Sequence, residues 1–489
     1  MSASAASGPT VARLFHRLLG LVFLAAWLSL GAQVDLLMGS RGLLPIADFA
    51  VSLRASDGAT LLDFPTFMWW WNGDRALATG IWIGVALATA ATLGIFPRAC
   101  FALLVPLYLS YATAGRVFLS FQWDNLLLEC GALAVFLPRR HPQRWTHVLF
   151  RLLLFKLYFQ SGIAKWQSHL HDWHDGSAMT FYYETAPLPT ALAWFTHALP
   201  AWWHHVESRA TLALELACPL AFFGPRRARL AAATALTLFQ IVNLATANYG
   251  FFCWLAVALH VFLLSDRDVA RAWAWLRRAP RDHAEPSASV APGGWASTLA
   301  ALVVVPLYVS ISAMESLVHF GCLTPSDGTC DGESWAEIFA PQRDLYEPLR
   351  LVNTYHLFGH ITRERIEPEF STLEGGAWTA RDLRFKPGDP ARAPPFVAPH
   401  QPRVDFQLWF YGLSSGRGTP RWVAMLLERM CENPEAVRNL FAAPLPRAPE
   451  AARVGFWRYH FTTPAERRAT GAWWTRTWIG AGPARDCVR

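Results

Sequence analysis

The stretch LFHRLLGLVFLAAWLSLGAQVDLL, Leu14 to Leu37, decides how the rest of the chain is read. It exceeds the roughly 20 largely apolar residues with which a helix crosses a bilayer. Further runs follow: Ala78 to Phe96, Phe101 to Leu119, Asn125 to Leu137, Val148 to Ala164, Ala210 to Phe223, Leu230 to Ala247, Phe251 to Leu264 and Ser297 to Leu317. Together they predict a polytopic α-helical membrane domain of about nine transmembrane helices over residues 1–317. The first run follows a basic start and contains Leu30-Gly31-Ala32, as a signal peptide would. It continues past that point to Met38, longer than a usual signal core, and is read as an uncleaved anchor.

Composition agrees. Hydrophobic residues make up 53% of the 489 and charged residues only 16%, which is not the balance of a soluble protein. The net charge of +7 does not point to nucleic acid, because the arginines sit in alternate loops. Arg13 and Arg17, Arg98, the loop of Arg139, Arg140 and Arg144, the loop of Arg226, Arg227 and Arg229, and the stretch from Arg267 to Arg281 follow that alternation. Short basic loops mark the cytoplasmic side. The expected topology has a cytoplasmic N-terminus and, after an odd number of spans, an exported C-terminal part. Trp69, Trp70 and Trp71, and later Trp194, Trp202 and Trp203, read as interfacial anchors.

After Leu317 no run of spanning length remains, and residues 318–489 read as an exported α+β domain. Strands are expected at Arg365 to Thr372, Trp378 to Phe385 and Gly455 to Phe461, with helical spacing from Pro402 to Leu413 and from Arg421 to Cys431. Ala279 to Gly294 is expected as a cytoplasmic linker. Cys100, Cys130, Cys218 and Cys253 lie in or beside spans as small apolar side chains. Cys322 and Cys330 flank a turn-rich loop on the oxidising side and are expected to be bonded. The pairing of Cys431 and Cys487 is left open.

Ionisable groups at membrane depth need partners and are candidate functional sites. Lysine is nearly absent: Lys156, Lys165 and Lys386 are the only three. Lys165 falls near the exported end of the fifth run and Lys156 about 13 Å deeper. Asp124, Asn125 and Glu129 begin the fourth run, while Glu207 and Glu215 belong to the sixth. By depth, Lys165 meets Asp124 or Glu207, and Lys156 meets Glu215 or Glu129. Nine residues of helix put the two lysines on roughly opposite faces. Asn243, Asn248 and His260 add polar atoms nearby, His260 as a hydrogen-bonded packing residue. His169, His171 and His174 with Asp172 and Asp175 read as a solvated loop rather than a metal site. No metalloprotease, P-loop, nucleophile-elbow or dinucleotide motif is present, no cofactor is expected, and nothing resembles the inverted repeats of a transporter.

Several ordered blocks resemble the lipase maturation factor family. They are Phe121-Gln-Trp-Asp-Asn-Leu-Leu-Leu-Glu129, Tyr182-Tyr183-Glu184-Thr185 with Pro187-Leu188-Pro189, and Ala247-Asn248-Tyr249-Gly250-Phe251-Phe252. Asn353-Thr-Tyr355 through Phe358-Gly359, Thr362-Arg363-Glu364-Arg365, Phe385-Lys386-Pro-Gly-Asp389 and Arg403-Val-Asp405 through Trp409-Phe410 continue the likeness. The resemblance implies a chaperone-like maturation factor without catalytic residues, whose exported domain binds a client, in that family a secreted lipase. The family's animal members reside in the endoplasmic reticulum. The alanine and arginine bias of this chain points to a bacterial inner membrane, with the C-terminal domain in the periplasm. A second likeness, Tyr158 to Trp166 with Trp173 and Gly176, is to the lysine-bearing segment of vitamin K-dependent γ-carboxylases and their horizontally transferred transmembrane relatives. It implies an alternative, a membrane enzyme using a quinone, with Lys165 as base.

Overall fold

The computed structural model describes residues 10–138, 143–276, 295–321, 332–414 and 418–487. The principal helices are α1 (Val11–Gly31), α2 (Asp74–Leu93), α3 (Pro97–Ala114), α4 (Gln122–Phe136), α5 (Arg144–Trp166), α6 (Ala201–Ala217), α7 (Arg226–Thr246), α8 (Phe252–Leu259) and α9 (Trp295–Phe320). Local chemistry sets their ends. Thr10 caps α1 by accepting from the Arg13 amide, Gly94 ends α2 in the left-handed region at φ 80°, and α3 opens with Pro97 at its first turn. At the crossing of α1 and α2 Gly20 is required for close approach, since a Cβ there would lie 2.6 Å from the Thr92 amide nitrogen.

Among the described residues four helices are long and apolar enough to cross a membrane: α1, α2, α7 and the Ser297–Phe320 part of α9. This corrects the expected nine. The fourth run folds as a helix of only 15 residues, and the eighth as eight residues followed by a 3-10 turn. The sixth ends as the 17-residue α6 and continues as a 3-10 turn over Cys218–Phe223. The fifth, α5, has the length but carries Arg144, Arg151, Lys156 and Lys165. Apolar runs of that kind are filled in against neighbouring helices, and periodicity cannot separate a buried helix from a spanning one.

The C-terminal part contains α10 (Gly332–Tyr346), α11 (Arg403–Leu413), α12 (Arg421–Glu432) and an antiparallel sheet. Its strands are β1 (Arg365–Glu374), β2 (Ala377–Arg381), β3 (Ala451–Phe461), β4 (Trp474–Ala481) and β5 (Arg485–Asp486), in the order β2-β1-β3-β4 with β5 also pairing β3. The expected first and third strands are present and longer than read. The second stops at Arg381 rather than Phe385; beyond it Leu383 forms an isolated bridge to Phe441. β4 and β5 escaped the sequence reading because their exposed residues lack alternation. One continuous apolar core runs from Phe15 and Trp27 through Tyr355 to Val423 and Trp474, so both parts pack as one body.

The expected pair Cys322 and Cys330, the Ala279–Gly294 segment and Arg139 lie outside the described residues. Cys431, in α12, is bonded to Cys487 with Cα atoms 5.1 Å apart, tying that helix to the strand edge 56 residues away. Closing such a loop is worth about 4 kcal/mol in the chain-entropy account. Cys431→Ser is therefore expected to lower the melting temperature of the purified protein, with peptide mapping without reductant recovering the joined pair from wild type. Free thiols at both positions and an unchanged melt would contradict this.

Candidate functional site

Glu129 sits in α4 with no exposure to solvent. Its Oε1 accepts from Lys156 Nζ at 2.8 Å and from the Tyr308 hydroxyl at 2.5 Å. Its Oε2 accepts from the Asn353 amide at 3.0 Å, from Asn353 Nδ2 at 3.1 Å and from the Tyr355 hydroxyl at 2.6 Å. These five donors come from α5, from α9 and from the segment that leads into the C-terminal sheet. The Lys156 ammonium also donates to Ser312 Oγ at 3.2 Å and lies 4.9 Å from the centre of the Tyr308 ring.

Asp124, one turn before Glu129 on α4, meets Arg403 of the C-terminal part. The guanidinium spans both carboxylate oxygens at 2.8 and 2.9 Å, and its NH1 also donates to the Phe118 carbonyl at 2.7 Å. Tyr108 donates to the same carboxylate at 2.5 Å. Such a bidentate pair adds direction to charge. The Asn125 carbonyl accepts from Asn353 at 3.5 Å.

Lys165 pairs with Glu215 at 2.7 Å and donates to the Leu357 carbonyl at 2.8 Å. The expected partners Asp124 and Glu207 are thereby corrected: Arg403 takes the first, while Tyr183 and His204 flank the second. Depth alone ranked those partners, and the lateral order of helices, which a sequence does not display, chose Glu215. Lys156 takes Glu129, one of its two candidates. The lysines occupy separate clusters, as their helical phase requires. A cavity of about 50 Å³ adjoins Lys165, Glu215, Tyr158, Tyr182, Gln240 and Tyr249, room for a few waters. The quinone-dependent reading gains no support from it. His260 is held between Tyr158 and Thr237, both at 2.9 Å, and the Tyr182 and Tyr249 hydroxyls are 2.7 Å apart.

A second set of contacts uses the loop after Thr185. Arg365 donates to the carbonyls of Glu184, Ala186 and Pro187 at 2.8, 2.5 and 3.2 Å. Lys386 reaches the Pro187 carbonyl at 3.4 Å and Trp409 donates to that of Thr185 at 2.8 Å. Both cations share Glu367, at 2.5 Å from Arg365 and 2.8 Å from Lys386, deep in the interface. The Glu184 carboxylate accepts from the Phe461 amide at 2.7 Å and contacts His460 at 3.0 Å. Asn248 bridges in the same sense: its side chain donates to the carbonyls of Leu188 and Pro395 and accepts from the Val397 amide at 2.6 Å.

Other expected residues play local parts. Asp389 accepts from the Ala391 amide in a turn, and the Arg363 guanidinium lies over Phe181. Among the described residues no group of three histidines, cysteines or carboxylates is placed to hold a metal. Sequence reasoning missed Glu315, whose carboxylate receives Arg343 Nε at 2.9 Å and the Tyr346 hydroxyl at 2.7 Å. A lone acid in the last apolar run was the available signal. It also missed Glu367, the acid between Arg365 and Lys386.

In the C-terminal part burial pushes the Asp405 carboxyl up to about 7, against the pull of Lys386, and burial lowers Lys386. Burial also pushes His400 down to about 4.

The arrangement is that of a helical membrane protein whose small C-terminal sheet domain is clamped onto it by buried charge. The chain belongs to the lipase maturation factor family. Its residues 10–271 match the lipase maturation factor transmembrane domain and 351–482 the lipase maturation factor C-terminal domain. It is 30% identical to lipase maturation factor 2 of Gallus gallus, over 95% of this chain and 79% of that protein. It is 29% identical to lipase maturation factor 2 of Homo sapiens, over 96% and 81%. Lipase maturation factor 1 of Bos taurus is 28% identical over 95% and 86%. No solved structure matches.

Removing one partner of a buried pair strands the other at a cost of about 3 to 5 kcal/mol. Lys156→Met is expected to lower the melting temperature in detergent, and Glu129→Gln added to it to recover part of the loss. A single variant as stable as wild type would refute the role given to this pair.

Asp405 yields a pH test. Its folded carboxyl keeps a proton up to about pH 7, whereas an unfolded one loses it near pH 4. Its contribution is therefore fully present below about pH 4 and lost as pH rises toward 7. Asp405→Asn should exceed wild type in melting temperature by more at pH 8 than at pH 5. Equal differences at both pH values would exclude the assignment.

Proposed function

We propose that this protein is an integral membrane maturation factor for exported proteins, with a secreted lipase as client, and that its C-terminal domain receives the client. The observation that carries the reading is the interface itself. Asp124, Glu129, Lys165 and Glu184 of the membrane part are all engaged by the C-terminal part. The conspicuous buried charges thus hold a domain in place, and Lys165, the candidate base, is occupied by Glu215. A fixed platform of this kind suits binding of a folding chain better than chemistry at membrane depth. The family names of the relatives, lipase maturation factors 1 and 2, supply the client class.

In this reading the N-terminus is cytoplasmic and residues 318–489 are exported, into the periplasm of a bacterium, which requires an odd number of crossings, so that at least one helix besides the four crosses as well; α5 has the length for it. Arg13 and Arg17 at the start of α1 support the first. The Cys431–Cys487 bond supports the second, because disulfides persist in oxidising compartments, whereas the described cysteines of the membrane part are free.

The test is genetic. In a host lacking this gene, a co-expressed secreted lipase should accumulate as inactive protein, and the wild-type chain should restore its specific activity. Lys165→Met should lower melting temperature and lipase maturation together. Lipase activity indifferent to the gene would end the proposal, and a stable Lys165→Met protein devoid of activity would argue for chemistry at that lysine.

A further inference from the structure

The segment between α10 and β1 carries much of the docking described above, and histidines crowd its surface. Asn353 and Tyr355 bind Glu129, the Tyr355 amide donates to Gln160 Oε1 at 3.0 Å, the Leu357 carbonyl receives Lys165, and the Ile361 amide reaches Asp172 at 3.4 Å. His356 and His360 stand among those contacts and are exposed. The His356 ring lies 6.1 Å from that of His319, at the end of α9, and the two are nearly parallel. The His360 ring lies 4.4 Å from that of His169, just past α5. His319 and His169 are exposed as well. Four protonatable rings from three parts of the chain thus face one another in pairs where α5, α9 and the C-terminal part meet.

The carboxylates beside them are already engaged. Glu315 lies 3.4 Å from His319 Nδ1, but it also receives Arg343 and the Tyr346 hydroxyl, and Arg343 extends to Glu347 at 3.5 Å. Asp172 accepts from the Ile361 and Trp173 amides and from Ser168 Oγ. Because the Ser168 proton goes to Asp172, the contact of Ser168 Oγ with His360 Nδ1 at 3.0 Å requires the ring to donate. Nε2 of His360 is then the atom that takes up a further proton. The charges acting on His356 are those of His319 and His360, while its amide donates to Gln122. Lys165 is paired with Glu215 and Lys156 with Glu129, and His171 and His174 lie against each other.

We propose that this row of histidines is an acid-sensitive latch, which keeps residues 353–361 docked while the rings are neutral and releases them when protons are taken up. Imidazolium ions held this close repel one another, and moving the segment away from α5 and α9 separates both pairs. Partial desolvation, then His319 and His360, hold His356 below the ordinary histidine range. Desolvation, then His169, do the same for His360 against the pull of Asp172. In a released segment the histidines return to about 6.5, so the released state binds more protons. Docking is therefore unweakened above about pH 6.5 and weakens as the pH falls from there through the lowered values. The response runs opposite to that of Asp405, whose contribution is lost as pH rises. It concerns how the C-terminal part is held and is independent of any client.

Hydrogen exchange of the full chain in detergent, read by mass spectrometry at pH 5.5 and at pH 7.5 with a metal chelator present, tests the latch on either side of the histidine range. After correction for the intrinsic dependence of exchange on pH, amides of residues 353–361 should open several-fold more often at pH 5.5, and those of β3 should not. A chain carrying His169→Gln, His319→Gln, His356→Gln and His360→Gln should lose that difference, with His400, whose own titration lies lower, left in place. Equal protection of the wild-type segment at both pH values, or the same acid response in the fourfold variant, would overturn the proposal. Where the fourfold variant does not fold, His356→Gln alone makes the comparison, and an acid response undiminished from wild type overturns the proposal equally.

Discussion

A carboxylate at membrane depth has no water to solvate it, and Glu129 meets that constraint with donors from three separate parts of the chain. Lys156 neutralises its charge, Tyr308 brings in the last apolar helix, and Asn353 with Tyr355 bring in the approach to the C-terminal sheet. Losing any one of these leaves lone pairs or a cation uncompensated in a low-dielectric surrounding. The position of α9 and the docking of the C-terminal domain therefore depend on the same side chain. Dispersion and apolar burial supply the bulk of the packing, but they do not select one register among many. The directed bonds to Glu129 do.

The same principle repeats around the interface with different chemistry. Arg403 grips Asp124 as a flat fork, while Arg365 and Lys386 gather the carbonyls that the chain exposes between Glu184 and Pro187. A loop with several carbonyls turned one way presents a face of partial negative charge, and two buried cations answer it. Glu367 then balances those cations, and burial leaves Asp405 nearby with a carboxyl that ionises only near neutrality. Polar groups placed this way are costly to bury and give specificity in return. They explain why short blocks far apart in sequence belong to one structural unit. The Tyr182 to Pro189 block and the Arg365 and Lys386 blocks are two halves of one contact.

Much of this was legible in advance. The need of Lys156, Lys165, Glu129 and Glu215 for partners follows from their position in apolar helices, and the separation of the two lysines follows from helical phase. The strands at Arg365 and Gly455 and the helices at Arg403 and Arg421 were visible as period and punctuation. The number of crossings was not. α4, α6 and α8 are apolar because neighbours cover them as well as lipid, and an apolar residue carries no mark of which of the two it faces. β4 was also hidden, since its residues are mostly exposed and show no alternation.

The amino-acid sequence by itself determined that the chain enters a membrane, that its C-terminal part is a separate α+β fold, and that a handful of buried ions require compensation. Those are properties of composition, period and transfer free energy, each local to a segment. Only the tertiary structure decided which ion compensates which. Glu215 rather than Asp124 receives Lys165, Arg403 crosses from the C-terminal part to take Asp124, and Cys431 finds Cys487. Pairing depends on the lateral order and rotation of helices and on how one domain seats on another. That order is set by the simultaneous packing of all the elements, and no single segment contains it.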